Sequence, residues 1–267
     1  MRGIALQSQI HHPNVLRIEG CFCSESMTLE PFTVVYPKFQ RLEETFPFCS
    51  SIPNLRQVLL DLGASVGHLH DLGVVHGDLQ WPNVVIAPGF EIRLWNFGMN
   101  RIFFEETALF AREHYRPSSR ISHLTEAGDI YGCAMLFLSA ALASDDAEPN
   151  THNEYLTFVK IAERIQYHRE DLLPQDVPSK LRHLSQLSTQ QGEELWNLIL
   201  EMTDDSPNGV KSMELVNTRL CLILEERVYN NTCSMSMKLS LLYRPRATSD
   251  RFIYVSLYNT YTRETCA

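Results

Sequence analysis

The stretch VVHGDLQWPNVVI, residues 74–86, limits what this chain can fold into more than any other. Before it, Leu55, Val58, Leu59, Leu62, Val66 and Leu69 recur every three or four residues, the spacing that lays an apolar stripe along one face of a helix. Pro53 and Asn54 mark where that helix opens, and Gly73 where it stops. After it, residues 84–86 (VVI) and 91–95 (EIRLW) flank Pro88-Gly89, the pattern of a hairpin. His76, Asp78 and Asn83 are therefore carried at fixed offsets on a polar loop between a long helix and a hairpin.

The rest of the chain divides around this loop. Residues 5–10 begin a short helix that His12-Pro13-Asn14 breaks, and residues 15–23 and 32–39 read as two strands, too few for a stable sheet alone. Downstream the chain is mostly helical. Helices are predicted over about 128–143, 154–167, 191–202 and 212–224, the first apolar nearly all round and so the buried centre of a helical unit. After about residue 226 the segments SMSMKLSLL and RFIYVSLYNTY suggest strands, either a surface hairpin or a poorly ordered appendage. The expected organisation is a partial small lobe over 1–40, a helical lobe over 41–226 and a tail over 227–267.

Composition narrows the function classes. With 267 residues, 44% hydrophobic and 21% charged, the chain can bury a large core. A formal net charge of −9 with no Lys/Arg cluster disfavours nucleic-acid binding. Seven Cys at irregular spacing, with only Cys21 and Cys23 as a C-x-C pair, give no zinc pattern and read as free thiols of a reducing compartment. Residues 133–143, the longest apolar run, have the length of a core helix and not of a membrane span, and no secretory leader is expected. The expected location is cytoplasmic, with the nucleus open.

The order of motifs resembles a protein kinase from its C-helix onward, over about residues 4–224. HHPNV looks like the segment joining the C-helix to the fourth strand, and VVYPKF like the fifth strand and the hinge that holds adenine. HGDLQWPN is similar to the catalytic loop H-R-D-L-x-x-x-x-N, and LWNFGMNR to the D-F-G segment. YRPSS stands where Y-x-A-P-E would be, and GDIYGCAML resembles the start of the central F-helix. The fold expected is α+β: a mainly helical C-lobe with a truncated small β N-lobe.

The resemblance implies a role for each position. Asp78 would accept the proton of a substrate hydroxyl, unless it is a loop Asp bonding only nearby amides; Asn83 would bind a second Mg²⁺ and bond back toward Asp78. His76 would pack beneath the D-F-G segment, and Asp129 would accept backbone donors of the catalytic loop. Tyr36, Pro37 and Lys38 would line the hinge, or form a plain turn. Asn96 is the telling departure, because it replaces the Asp that gives Mg²⁺ a charged oxygen, and the cation prefers such ligands. Gly77 replaces the Arg that reads an activation-loop phosphate, leaving Thr107 a weak phosphosite. Ser119 and Gly209 stand where an ion pair of Glu and Arg is expected. No glycine-rich loop or lysine strand is seen ahead of Ile4, and the C-helix Glu would fall near Gly3.

Several parts of the catalytic apparatus are thus degenerate together, and phosphoryl transfer depends on positioning and charge stabilisation. The expectation is a pseudokinase that acts as a binding or scaffold module. ATP and Mg²⁺ binding would be weakened, and a protein partner would be engaged through the exposed edge of the small-lobe sheet. Two alternatives stand beside it. One is an active or weakly active ATP-dependent protein kinase, of serine/threonine or tyrosine type, represented by an N-terminally incomplete chain. The other is a small-molecule phosphotransferase, since HGD without Arg also occurs in antibiotic and choline kinase relatives.

Overall fold

The computed structural model describes residues 2–23, 32–42, 54–87, 91–97, 124–142, 151–167, 187–204, 206, 209–224 and 252–256. Helix α1 (Arg2–Gln9) is followed by strands β1 (Gly20–Cys23), β2 (Phe32–Pro37) and β3 (Gln40–Arg41). Helix α2 (Leu55–Asp71) leads through the loop and a 3₁₀ turn (Trp81–Asn83) into β4 (Val84–Ala87) and β5 (Glu91–Leu94). Helices α3 (Glu126–Leu142), α4 (Thr151–Tyr167), α5 (Thr189–Met202) and α6 (Met213–Leu224) come next, and strand β6 (Phe252–Ser256) closes the order. This is an α+β architecture dominated by helices.

Helix α2 forms where the periodicity put it. Asn54 caps its start by accepting from the Gln57 amide, and Gly73 ends it at φ +68, a conformation that glycine adopts without strain. Leu55, Val58, Leu59, Leu62, Val66 and Leu69 are all buried. They face α3, in which every residue from Gly128 to Ala141 is buried. Each large side chain so buried contributes roughly 1.5–3 kcal/mol relative to exposure. Two polar groups in this core find partners: Trp81 Nε1 donates to Ser139 Oγ at 2.9 Å, and that hydroxyl donates to the Leu136 carbonyl at 3.0 Å. The C-terminal carbonyls of α6 accept from Arg56 and from Gln191, which satisfies groups that a helix end leaves open.

Two three-stranded sheets carry the site. In one, β4 is central, pairing Val84 with Leu94 of β5 and Ile86 with Gln40 of β3. In the other, β2 is central, antiparallel to β1 and to β6.

One expectation changes here. The strand read over residues 15–23 is shorter, because residues 15–19 cross between the sheets: Leu16 donates to the Leu94 carbonyl, whereas Glu19 donates to that of Val35. β6 lies along β2 in the register Thr33↔Ser256 to Pro37↔Phe252, on the side away from β1. Among the described residues, the unpaired edges of this sheet are the outer sides of β1 and β6. The segments SMSMKLSLL and YRPSS, with Thr107 and Ser119, lie outside the described residues, as does the hairpin turn at Pro88-Gly89.

Candidate functional site

The loop between α2 and β4 is held from behind by one carboxylate. Asp129, in the first turn of α3, accepts from the His76 amide at 2.7 Å, the Gly77 amide at 2.8 Å and His70 Nε2 at 3.0 Å. It is 1% exposed, so these charge-assisted bonds act away from water, where they are strongest. Gly77 takes φ +80, and a Cβ there would lie 3.1 Å from the Leu124 side chain. Both facts favour glycine where the related loops carry Arg.

His76 is fixed as a neutral ring by its own bonds. The Asp78 amide donates to Nδ1 at 3.3 Å, so Nδ1 keeps its lone pair, and Nε2 carries the proton toward the Trp95 carbonyl at 3.2 Å. Burial lowers the imidazole's pKa, against the opposing pull of the Asp129 and Asp78 charges. The ring lies 6.0 Å from that of Phe97. With both nitrogens engaged, His76 positions the loop and leaves proton transfer to others.

Asp78, Asn83 and Asn96 are brought together. Asn83 Nδ2 donates to the Asp78 carbonyl at 2.8 Å and to Asp78 Oδ2 at 2.7 Å. Those two acceptors set the orientation of the amide and turn Asn83 Oδ1 the other way, where Asn96 Nδ2 donates to it at 3.0 Å. Asn96 has φ 63, a left-handed conformation that Asn tolerates better than most residues. The group sequence reasoning missed is Gln80. Its Nε2 donates to Asp78 Oδ1 at 2.9 Å, so each oxygen of the carboxylate receives one amide hydrogen. Its place two residues after Asp78 does not by itself signal this contact.

Tyr36, Pro37 and Lys38, expected at a hinge or a plain turn, sit apart from this group and meet it through one side chain. Tyr36 is buried at the end of β2, with its ring 5.8 Å from Trp95 and 6.1 Å from Phe39, both edge to face. Phe39 and Trp95 lie 5.5 Å apart. Leu16, Ile18, Val34 and Val85 complete this small core, and Val85 is fully buried. Burial, helped by the Cys21 thiol and opposed by a hydrogen bond with Gln7, pushes the Tyr36 phenol up to about 12, so it stays neutral. Pro37 is half-buried and Lys38 exposed. Trp95 also donates its indole N–H to the Pro82 carbonyl at 2.9 Å, and it directly precedes Asn96. Gly209, where an Arg partner was expected, is buried where a Cβ would run into the Asp204 carbonyl.

A His, Asp and Asn loop braced on the carboxylate at the head of a buried central helix, with a small sheet beside it, is the frame the sequence motifs implied. The family model of the protein kinase domain matches residues 1–214. The chain belongs to the protein kinase family. Among curated proteins, the mouse PAS domain-containing serine/threonine-protein kinase is 31% identical over 112 residues, 40% of this chain and 8% of its own length. A LEAF RUST 10 disease-resistance locus receptor-like protein kinase of Arabidopsis thaliana is 20% identical over 166 residues, 57% of this chain and 24% of its own length. The cell division control protein 2 homolog 3 of Trypanosoma brucei brucei is 21% identical over 148 residues, 53% of this chain and 48% of its own length. The kinase-like chain thus spans less than half the length of each. Among its described residues, no helix is long and apolar enough to cross a membrane, and no three His, Cys, Asp or Glu gather to hold a metal ion.

Proposed function

We propose that this protein kinase family member is a catalytically impaired pseudokinase, a cytoplasmic binding or scaffold module that works through a protein partner. The observation that carries the reading is the bond from Asn96 Nδ2 to Asn83 Oδ1. Mg²⁺ needs hard and preferably charged oxygens, arranged octahedrally. Here the Asn83 oxygen already accepts an amide hydrogen, Asn96 offers a neutral oxygen, and both oxygens of Asp78 are engaged. These residues do not fit the divalent cation that would carry ATP phosphates, and no step is derived through it.

Thermal-shift titration of the purified protein with ATP, with and without Mg²⁺, tests it, because a ligand of the native state raises Tm by mass action. No metal-dependent rise and no phosphate transfer are expected. A Mg²⁺-dependent rise, together with transfer that disappears in Asp78→Ala, would overturn the proposal. The bracing of the loop by Asp129 favours a second reading, a weakly active protein kinase, and the same experiment separates the two.

A further inference from the structure

Asp78 receives amide hydrogens but no cation. Its carboxylate accepts from Gln80 Nε2 at 2.9 Å on Oδ1 and from Asn83 Nδ2 at 2.7 Å on Oδ2. Both donors are neutral. Among the described residues, the ion pairs join His70 to Asp129, Arg93 to Glu91 and Arg219 to Glu201, and none reaches Asp78. A carboxylate offers about four lone-pair sites, so each of its oxygens keeps one open. Asp78 is half-buried, and a molecule from outside can approach it.

A second acceptor stands beside this one. Gln80 is 5% exposed, and its Oε1 is closed off from water without a hydrogen-bond partner. The orientation of the amide is fixed by Asp78: turned over, it would set Oε1 against Oδ1, two acceptors face to face. Nε2 therefore takes the carboxylate and Oε1 is left without a donor. Buried acceptors are nearly always satisfied, so one left alone marks a place for a donor that the chain does not supply. Oε1 shares its carbon with the nitrogen that holds Asp78, which puts the unfilled acceptors of the two side chains next to each other. A water would fill Oε1 and leave the charge of Asp78 unbalanced. A cation with N–H donors does both.

We propose that Asp78 and Gln80 together bind a primary ammonium group, the chemistry shared by a lysine side chain of a partner protein and a free alkylamine. The features that unfit this loop for Mg²⁺ suit such an ion, because one carboxylate matches one charge and a neutral amide oxygen accepts an N–H donor well. An ammonium carries three donors that rotate about a single bond, so it can address Oδ1, Oδ2 and Oε1 without a fixed plane. A guanidinium holds its donors in a rigid fork, which suits two oxygens of one carboxylate better than three acceptors on two side chains. The formal net charge of −9 draws cations toward the chain. The inference deepens the binding-module reading by naming the group a partner presents, and rests on that reading for its use. Its test needs neither ATP nor Mg²⁺, so the two fail separately.

Nuclear magnetic resonance of the full chain tests it, reading the side-chain amide signals of Gln80 and Asn83 during titration with n-butylammonium and with Nα-acetyl-lysine N-methylamide. Both signals should move saturably, with Kd roughly millimolar for ligands so small. Tighter binding of the lysine derivative assigns the ammonium to a peptide and equal binding to any alkylamine; either result supports the site. Tetramethylammonium, which has the charge without an N–H donor, should leave both signals in place. Gln80→Leu, read at Asn83, should weaken binding about tenfold, and Asp78→Asn should abolish it. Circular dichroism follows the helices; should Gln80→Leu lose helix, the comparison of n-butylammonium with tetramethylammonium on the wild-type chain carries the test. No saturable shift at roughly tenfold the expected Kd, an equal shift from tetramethylammonium, or unchanged affinity in folded Gln80→Leu would each overturn the proposal. Tighter binding of Nα-acetyl-arginine N-methylamide would overturn the choice of ammonium in favour of a guanidinium.

Discussion

The bond between Asn83 and Asn96 depends on one of the two being a donor. Asn96→Asp would set a carboxylate against the Asn83 oxygen at a separation now spanned by a hydrogen bond of 3.0 Å. In the absence of a cation this variant should lose about 1–3 kcal/mol, the usual penalty for a partly buried acceptor left facing another. Mg²⁺ should then raise its Tm while leaving that of the wild type where it was; melts in chelator and in Mg²⁺ make the comparison. Residues of this kind were legible from the sequence, since Asp78, Asn83 and Asn96 sit at short offsets within one loop and hairpin. Gln80 was not. Its role depends on the 3₁₀ turn folding its amide back onto Asp78, a local geometry that the spacing alone does not specify.

Among elements, the helices were legible for a simple reason: periodic apolar residues bury on one face whatever they pack against, and α2, α3, α5 and α6 begin and end within a few residues of expectation. Strands depend on non-local pairing, so β1 came out shorter and β6 pairs with β2, a strand from the far end of the chain. The aromatic cluster was hidden for the same reason, because Tyr36, Phe39 and Trp95 meet only once the hinge and the hairpin are folded. One prediction belongs to the join between the loop and the central helix. Ser139→Ala removes the buried hydroxyl that Trp81 Nε1 donates to, and should destabilise the protein by about 1–3 kcal/mol in denaturant melts. Ser139→Thr, which keeps the acceptor, should recover part of that loss.

For the molecule as a whole, acid should weaken the fold through histidine. The rings of His12 and His68 stack with centroids 4.6 Å apart, linking the turn after α1 to α2. Burial first, and the His68 charge second, lower the His12 pKa from 6.5 to about 4. The unfolded chain then binds the proton that the folded chain refuses, so stability is complete above about pH 6.5, falls as pH drops toward 4, and levels off below. Buried His76 shifts in the same direction, whereas Asp61, raised chiefly by burial, gains stability as pH falls through its folded value. Tm measured across this window should therefore decline less steeply in His12→Gln than in the wild type. Equal slopes would remove His12 from the account.

Trp95 joins three parts of the molecule: its ring packs against Tyr36 of β2, its indole donates to Pro82 in the loop, and its carbonyl accepts from His76. That arrangement has a consequence for descent. A lineage leaving this geometry for metal chemistry would need a carboxylate at position 96. That change sets two acceptors face to face until a cation comes between them, while truncating Trp95 instead would open a cavity costing about 3–5 kcal/mol. The present packing thus resists the change wherever no cation is supplied.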